Sequence, residues 1–411
     1  MTRKFRLSNW TALAAIALAV SALAVSALGG CSNPFASDGR DSALATDGGV
    51  AAIASPDLAS APNPAEDPQL TGRKLDYNLA LRSAAIKLVG DLPTLDEQRA
   101  IQSADDQRSA YEKRIDAYLA DPRFTDQLLN YFRNTFKMGG MGGDEKVPVS
   151  FETAPTFAAR LVVLDKPFTD LFTASANTCP TYGNGVFTDG DCNNGVPAVA
   201  GVLSDPGVHT QFVSNMAFRR VRWLQETFDC RRFPVEYGKT PTPMGAGNYT
   251  SPWPFQSIAG GDTGRVDFHD TKSVVCANCH TTMNHLAPLF ANFDAHGVWQ
   301  ADIQVTVPVT GQPKANLSDW LPAGETTAWR FGVPANDLPA LGQALAHDPD
   351  VTACTVTRVY DWAMSKDDVV LDLATVPDQV IAPYFSAYEA NGHKLKAVIR
   401  QAFTSDDFVR F

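Results

Sequence analysis

Residues 32 to about 70 set the first limit on what this chain can fold into, because they contain almost no large apolar side chains. Ala, Ser, Asp, Gly and Pro dominate the segment, and such a composition cannot bury enough apolar surface to offset the entropy of ordering. We therefore predict a disordered tether over residues 31–72. About 40 such residues span on the order of 35 Å as a random coil, so folded domains must come from the residues that follow.

A secretory signal is predicted ahead of the tether. Three basic residues stand among residues 3–6, an apolar stretch follows, and it closes with Leu28-Gly29-Gly30-Cys31. Small residues directly before a cysteine resemble a lipobox, where the signal is removed and the cysteine is lipidated. We expect residues 1–30 to be the signal peptide and Cys31 to hold the protein to the membrane by acyl chains. The alternatives are an ordinary signal with a chance cysteine, or an uncleaved anchor.

The composition fits an exported, acidic protein. Hydrophobic residues make up 45% of the chain, enough for a packed interior. The net charge is −11, which repels phosphate backbones and disfavours nucleic acid as a partner. We expect a lipoprotein on the periplasmic side or at the outer membrane, where Ser32 after the cysteine resembles a residue that permits outer-membrane sorting.

Cysteine usage agrees with an oxidising compartment. Of the seven cysteines, Cys179 and Cys192 bracket a loop rich in Gly, Asp and Asn, so a disulfide closing that loop is expected. Cys230 and Cys354 are a second candidate pair that would join distant segments. The alternative for this second pair is two buried free thiols.

Helical periodicity divides the chain after the tether into three predicted domains. A helical domain over 73–145 carries a capping box at Thr94 and Glu97 and an apolar stripe that we assign to core packing. A central domain over 146–330 is loop-rich, with a helix around Thr210–Phe228 and a strand over residues 303–309. A second helical domain covers 331–411. The fold class is therefore mainly α, multi-helical, with a small β element and long loops.

The pattern with the most specific chemistry is Cys276-Ala277-Asn278-Cys279-His280, here called the CxxCH motif. Covalent haem attachment needs two thiols for the vinyl groups and an imidazole for the iron, and this spacing supplies all three on one helical turn. A chance match in a chain of this composition has an expectation on the order of 0.002. We therefore predict one covalent haem c, with His280 as the proximal iron ligand.

Two other interpretations of the CxxCH motif remain open. A zinc site could use Cys276 and Cys279 with two imidazoles from His269, His280 and His285. A simple disulfide is the other. A thioredoxin-like pair is disfavoured, because no βαβ pattern surrounds the motif.

The second axial ligand is less defined. His269 could fold back over the iron and is the first candidate, Met364 on a C-terminal helix is the second, and His285 is a third. An open position would instead favour peroxide chemistry, as in a haem-dependent peroxidase-like enzyme. We expect His209, His347 and His393 to be surface residues and His296 to be a loop histidine.

A downstream segment adds a family resemblance. The CxxCH motif is followed by Met283-Asn284-His285 and then by residues 292–299, Asn-Phe-Asp-Ala-His-Gly-Val-Trp. This order resembles the planctomycete-type cytochrome-like secreted bacterial proteins, which carry a CxxCH motif and associated helical domains of unknown function. His285 stands where that family usually has Pro, and Gln300 where it usually has Arg.

The resemblance covers most of residues 75–411 and implies a cytochrome-like body with one covalent haem. We therefore expect an electron-transfer protein of the cell envelope with a redox protein as its partner, rather than an enzyme. The alternative is a non-redox binding or structural envelope protein whose Cys/His cluster holds zinc or a disulfide.

Overall fold

The structure is a computed structural model that describes residues 72–214, 217–231, 243–244, 247–248, 274–301, 321, 325–330, 332–368, 370 and 376–411. Only the backbone is described for residues 274–281 and for the short strands at 243–248. Several predictions fall outside the described residues, namely the signal peptide, Cys31, the tether, His269 and the strand over 303–309.

The described part of the chain is mainly helical, as predicted. The helices, in order, are α1 Tyr77–Val89, α2 Leu95–Gln102, α3 Gln107–Ala120, α4 Arg123–Phe136, α5 Thr153–Val163, α6 Asp170–Thr173, α7 Pro206–Gln211, α8 Phe218–Phe228, α9 Val274–Phe290, α10 Leu338–Ala346, α11 Pro349–Met364, α12 Asp378–Ala390, α13 Leu395–Thr404 and α14 Asp406–Val409. Each helix in the described residues is too short or too polar to cross a bilayer.

Small antiparallel hairpins interrupt the helices. Each pairs two successive strands: β1 Met141–Gly143 with β2 Pro148–Ser150, β3 Thr181–Gly183 with β4 Val186–Thr188, β5 Pro243–Met244 with β6 Gly247–Asn248, and β7 Ala328–Arg330 with β8 Val333–Pro334. Since none of these sheets has more than two strands, the helices carry the packing of the described core.

Local sequence signals account for several helix ends. The capping box before α2 is confirmed, because Thr94 Oγ1 accepts from the Glu97 amide and Glu97 Oε2 accepts from the Thr94 amide at 2.7 Å. The first helix, α1, begins at the Asp76 side chain, which accepts two backbone amides, and ends at Gly90 with a φ of 72°. Glycine adopts this left-handed conformation without steric cost.

The aromatic stripe on α4 is core, as predicted. Phe124, Leu128, Phe132 and Phe136 recur at every fourth position, share one face, and are each at most 2% exposed. Phe136 makes edge contacts with Trp223 and with another phenylalanine on α8. The stripe therefore joins the N-terminal helices to the central part of the chain.

Two predictions for the central region differ from the structure. The expected helix around Thr210–Phe228 is divided, since α7 ends at Gln211 and α8 begins at Phe218. Ala217, just before α8, has a φ of 55°, which is incompatible with a continuous right-handed helix. In addition, α5 forms where loops were expected; its Pro155 lies in the first turn, where proline is tolerated.

The N-terminal and C-terminal helices pack against each other. Lys74 and Phe411 exchange two backbone hydrogen bonds of 2.8 and 3.0 Å, and the buried Tyr111 hydroxyl donates to the Phe403 carbonyl at 2.7 Å. One continuous apolar cluster draws residues from all three predicted domain ranges. The central segment, including α9, is packed onto this shared core.

Candidate functional site

The CxxCH motif lies in the first turns of α9. Its two cysteines and the histidine occupy positions i, i+3 and i+4 of this helix. Residues at these spacings share one helix face. The backbone thus places Cys276, Cys279 and His280 together, at the N-terminal end of a 17-residue helix.

The following turns of α9 are deeply buried. Thr282, His285 and Leu286 are 0% exposed, and Phe290 is 2% exposed. The helix packs against α8 and against β7. Burial of this half holds the helix in place, so the motif is carried by a supported element rather than by a loop.

His285 has a specific partner. Its Nε2 lies 2.5 Å from Oε2 of Glu325, a carboxylate forty residues further along the chain. The imidazole is fully buried while the Glu325 side chain is 29% exposed. In this arrangement Nε2 is occupied by a carboxylate, so any metal bound by His285 would have to use Nδ1.

The C-terminal end of α9 is held by a buried guanidinium from α8. Arg220 is 2% exposed and makes five hydrogen bonds to backbone carbonyls. Two go to His209, at 3.2 and 2.9 Å, and the others go to Phe290, Phe293 and Asp294 at 2.7 to 2.9 Å. Burial lowers the pKa of Arg220 to about 10. The carbonyls left unpaired at a helix end are thereby satisfied.

The resemblance segment forms a closed turn after α9, here called the α9 turn (residues 291–300). Asp294 Oδ1 accepts from the amides of His296 at 2.8 Å and Val298 at 3.0 Å. Gln300 Nε2 donates to the other oxygen of Asp294 at 3.1 Å. Gln300, which stands where the family usually has Arg, therefore closes this turn.

Gly297 in the α9 turn is required by a close contact. Its φ is 71°, and a Cβ atom there would lie 2.3 Å from the Pro206 carbonyl oxygen. Phe293 and Trp299 pair across the turn as an isolated β-bridge. Residues 292–299 of the α9 turn, here called the clasp, thus hold the end of α9 against the start of α7.

The first disulfide loop is attached to this clasp. Cys179 and Cys192 are bonded, with a Cα–Cα distance of 5.0 Å. Two residues later, Asn194 Nδ2 donates to the Gly297 carbonyl at 2.8 Å, and the Asn194 carbonyl accepts from the Trp299 amide at 2.8 Å. The loop that sequence reasoning treated separately therefore packs directly on the α9 turn.

His209 corrects the expectation of a surface residue. It is 0% exposed, stacks on the Phe293 ring at a centroid distance of 3.5 Å, and its Nε2 lies 2.9 Å from the Leu203 carbonyl oxygen. Burial and the nearby Arg220 hold the pKa of His209 well below its usual value. A neutral imidazole here is a packing element beneath the α9 turn.

The second cysteine pair is also bonded and lies beside an ionic cluster. Cys230 and Cys354 connect the end of α8 to α11, across 124 residues of sequence. Next to the bond, Arg330 on β7 contacts Asp229 at 2.7 Å, Asp348 at 3.0 Å and Asp350 at 2.5 Å. This cluster ties α8, β7 and the start of α11 together.

Two groups within the described residues have the spacing of a metal site, but both are already occupied. Cys179 and Cys192 lie near Asp205, yet their sulfurs form a disulfide. The Asp229, Asp348 and Asp350 group is bound by the Arg330 guanidinium. Disulfide sulfurs and guanidinium-paired carboxylates leave little room for a cation.

Met364 lies apart from the CxxCH motif. It is the last residue of α11 and lines a cavity formed with α1 and the C-terminal segment; no described residue of α9 contributes to that lining. The remaining histidines stand at the chain surface or in turns, with His347 exposed and His393 partly exposed. Among the candidate distal ligands within the described residues, His285 alone lies on the same helix as the motif.

Sequence reasoning missed Arg220 and Glu325 as supports of α9. A signal for Arg220 exists, because it lies four residues before Leu224 and eight before Phe228, on the apolar face of α8. Glu325 carries no comparable signal, since its partner His285 is distant in sequence and on a different element.

No protein-family model matches the chain, and neither a curated protein nor a solved structure matches it.

Proposed function

We propose that this chain is an exported, lipid-anchored c-type cytochrome-like protein that holds one covalent haem and transfers electrons in the cell envelope. The observation that carries the proposal is the position of the CxxCH motif in the first turns of a supported helix. Cys276 and Cys279 would supply the two thioether sulfurs, and His280 the axial imidazole. A haem bound there supplies one-electron redox chemistry at its iron.

The donor set fits this group. Cys276, Cys279 and His280 occupy positions i, i+3 and i+4 of α9, which lie on one helix face. Four of the seven cysteines form two disulfides in the described part of the chain, and such bonds persist in the oxidising compartments where haem c is attached. The disulfides and the predicted export signal therefore support the same location.

The contacts of His285 and Met364 disfavour both as the distal iron ligand. His285 Nε2 is bound to Glu325, and Met364 lines a cavity to which no described residue of α9 contributes. His269, which lies outside the described residues, remains the first candidate, with an open sixth position as the alternative. A high-spin haem in the purified protein would favour the peroxide-type activity over electron transfer.

The test is to express the full chain in a host with haem c maturation and to record a pyridine haemochrome spectrum. We expect an α-band near 550 nm, the usual region for haem c, and haem staining that persists on a denaturing gel. Replacing both cysteines, in Cys276→Ser/Cys279→Ser, should abolish the stain. Absence of the α-band in the wild-type protein would contradict the proposal.

The matched control is Cys179→Ser/Cys192→Ser, which also removes two sulfurs but from the loop disulfide. This variant should keep covalent haem at the wild-type level. Equal loss of haem in both double variants would mean that general instability, not the motif, explains the result.

A zinc site is the second candidate. Cys276, Cys279 and His280 occupy one face of α9 and would supply three ligands of a four-ligand set. His285 lies nine residues after Cys276, about 180° around the helix, so the fourth ligand would come from another segment, such as the one that holds His269. Stoichiometric zinc in the purified chain, together with no haemochrome, would select this function.

A further inference from the structure

A cavity of about 860 Å³ lies at the C-terminal end of α11. It is formed by the start of the described chain, α1, the end of α11, the start of α12 and the C-terminal segment. Its volume falls within the range of small-molecule sites. Nothing in the proposed haem chemistry uses it.

Its lining combines cations with an apolar wall. The cations are Arg73, Lys87, Lys366 and Arg410. The apolar wall includes Met364, Val376, Val380 and Phe408. Only two aspartates, Asp406 and Asp407, share the lining. This excess of cationic side chains is notable in a chain whose net charge is −11.

Two of the four cations are already engaged. Lys87 Nζ donates to the carbonyls of Trp362 at 2.5 Å and Ala363 at 2.7 Å, and to Ser365 Oγ at 2.6 Å. An ammonium has three N–H donors, so none remains for a ligand. Arg410 is paired with Asp406 at 3.2 Å.

Arg73 and Lys366 are available. Within the described part of the chain, neither forms an ion pair with a carboxylate, and the Arg73 Nε atom is buried with no hydrogen-bond acceptor. Lys366 Nζ stands 5.7 Å from the centre of the Tyr360 ring, an arrangement that keeps its charge next to the cavity wall. An anionic ligand would give both cations a charged partner.

We propose that this cavity binds a small organic carboxylate with an apolar body, through the cations Arg73 and Lys366 and the apolar side chains of Met364, Val380 and Phe408. A guanidinium matches the two oxygens of a carboxylate. The apolar wall selects against inorganic anions, which have no surface to bury there. The site is independent of whether α9 holds haem or zinc.

The experiment is isothermal titration calorimetry of the full, folded protein with 4-phenylbutyrate and with octanoate. The matched neutral probe is 4-phenylbutyramide, which has the same apolar body and no charge. We expect saturable binding of the carboxylates and at least tenfold weaker binding of the amide. No binding of either carboxylate at millimolar concentration, or equal binding of the amide, would overturn the proposal.

Variants locate the site. The double variant Arg73→Met/Lys366→Met should weaken carboxylate binding at least tenfold, because hydrogen bonds to charged groups are the strong ones. Lys113→Met, which removes an exposed lysine of α3 that is not part of the lining, should leave the affinity unchanged. Circular dichroism melting curves check that each variant is folded. Wild-type affinity in the double variant would place the ligand elsewhere and refute the assignment.

Discussion

Two helices of this protein, α9 and α11, end on a cation that another helix provides, and the two cations differ in burial. The end of α9 is held by Arg220 of α8, which is 2% exposed and makes five bonds to carbonyls. The end of α11 is held by Lys87 of α1, which makes three bonds and borders an open cavity. Both cations complement the negative end of a helix dipole.

The two cations differ in the pH range over which they keep their positive charge. A guanidinium offers five donors in a fixed plane and stays charged through the neutral range, and even with burial the pKa of Arg220 is about 10. Burial lowers the pKa of the Lys87 ammonium to about 8. The cation at the end of α9 therefore stays charged at neutral and mildly alkaline pH, whereas the cation at the end of α11 loses its proton in mild alkali.

The largest effect is expected for Arg220→Ala. The substitution leaves the carbonyls at the end of α9 buried without donors, which should lower the free energy of unfolding by about 4 kcal/mol. Urea denaturation followed by circular dichroism measures it. The control is Arg219→Ala, an exposed neighbour that should cost less than about 1 kcal/mol. Equal costs for the two variants would show that Arg220 does not hold the helix.

A second variant tests the clasp that backs Arg220. Gly297→Ala places a methyl group against the Pro206 carbonyl at a φ of 71°, and we expect a loss of about 3 kcal/mol. Gly332→Ala separates the two causes, because Gly332 has a similar φ of 79° with open space around it. Its expected loss is about 1 kcal/mol. The same urea titration compares them, and similar losses would mean that the close contact at Pro206 contributes nothing.

The corresponding change at the other helix end, Lys87→Met, should be milder. It removes three hydrogen bonds, but solvent in the cavity can reach the exposed carbonyls, so we expect a loss of about 2 kcal/mol. Lys113→Met, an exposed lysine on α3, is the control. If Lys87→Met lowered the free energy of unfolding as much as Arg220→Ala does, the ends of α9 and α11 would not differ in how strongly their cations stabilise them.

The smallest effect is a pH dependence. The folded-state pKa of Lys87 lies below its ordinary value of 10.5, so between about pH 8 and that value the unfolded chain binds more protons than the folded one. Stability should therefore rise with pH in this interval. With allowance for solvent at the half-buried amine, we expect a gain of about 1 kcal/mol from about pH 8 to about 9.5, relative to Lys87→Met. Parallel pH profiles of the two proteins would contradict this.

Local sequence signals predicted the parts of the fold that depend on local interactions. The capping box at Thr94 and Glu97 and the stripe from Phe124 to Phe136 involve neighbours three or four residues apart, and both are confirmed. The division between α7 and α8 was not predicted, because the left-handed backbone at Ala217 has no signature in the residue type. An alanine in that conformation is held there by its surroundings.

The candidate site was predictable in its motif but not in its supports. Cys276, Cys279 and His280 are adjacent in sequence, so their grouping follows from helix geometry alone. Glu325, His209 and Arg220 reach α9 or its turn from separate elements. These contacts depend on tertiary packing between elements that are distant in sequence. The periodicity of a single sequence reports only local structure, so it does not predict them.

The pairing of Lys74 with Phe411 has a mechanical consequence. Any tension that reaches the body through the chain ahead of residue 72 first loads the two hydrogen bonds between these residues, then the bond from the Asp76 amide to the Val409 carbonyl. Bonds loaded one after another break at lower force than bonds loaded together. A pull from the N-terminal side would therefore separate residues 74–76 from residues 409–411 before it strains α1, so the helices are loaded only after these edge hydrogen bonds have broken.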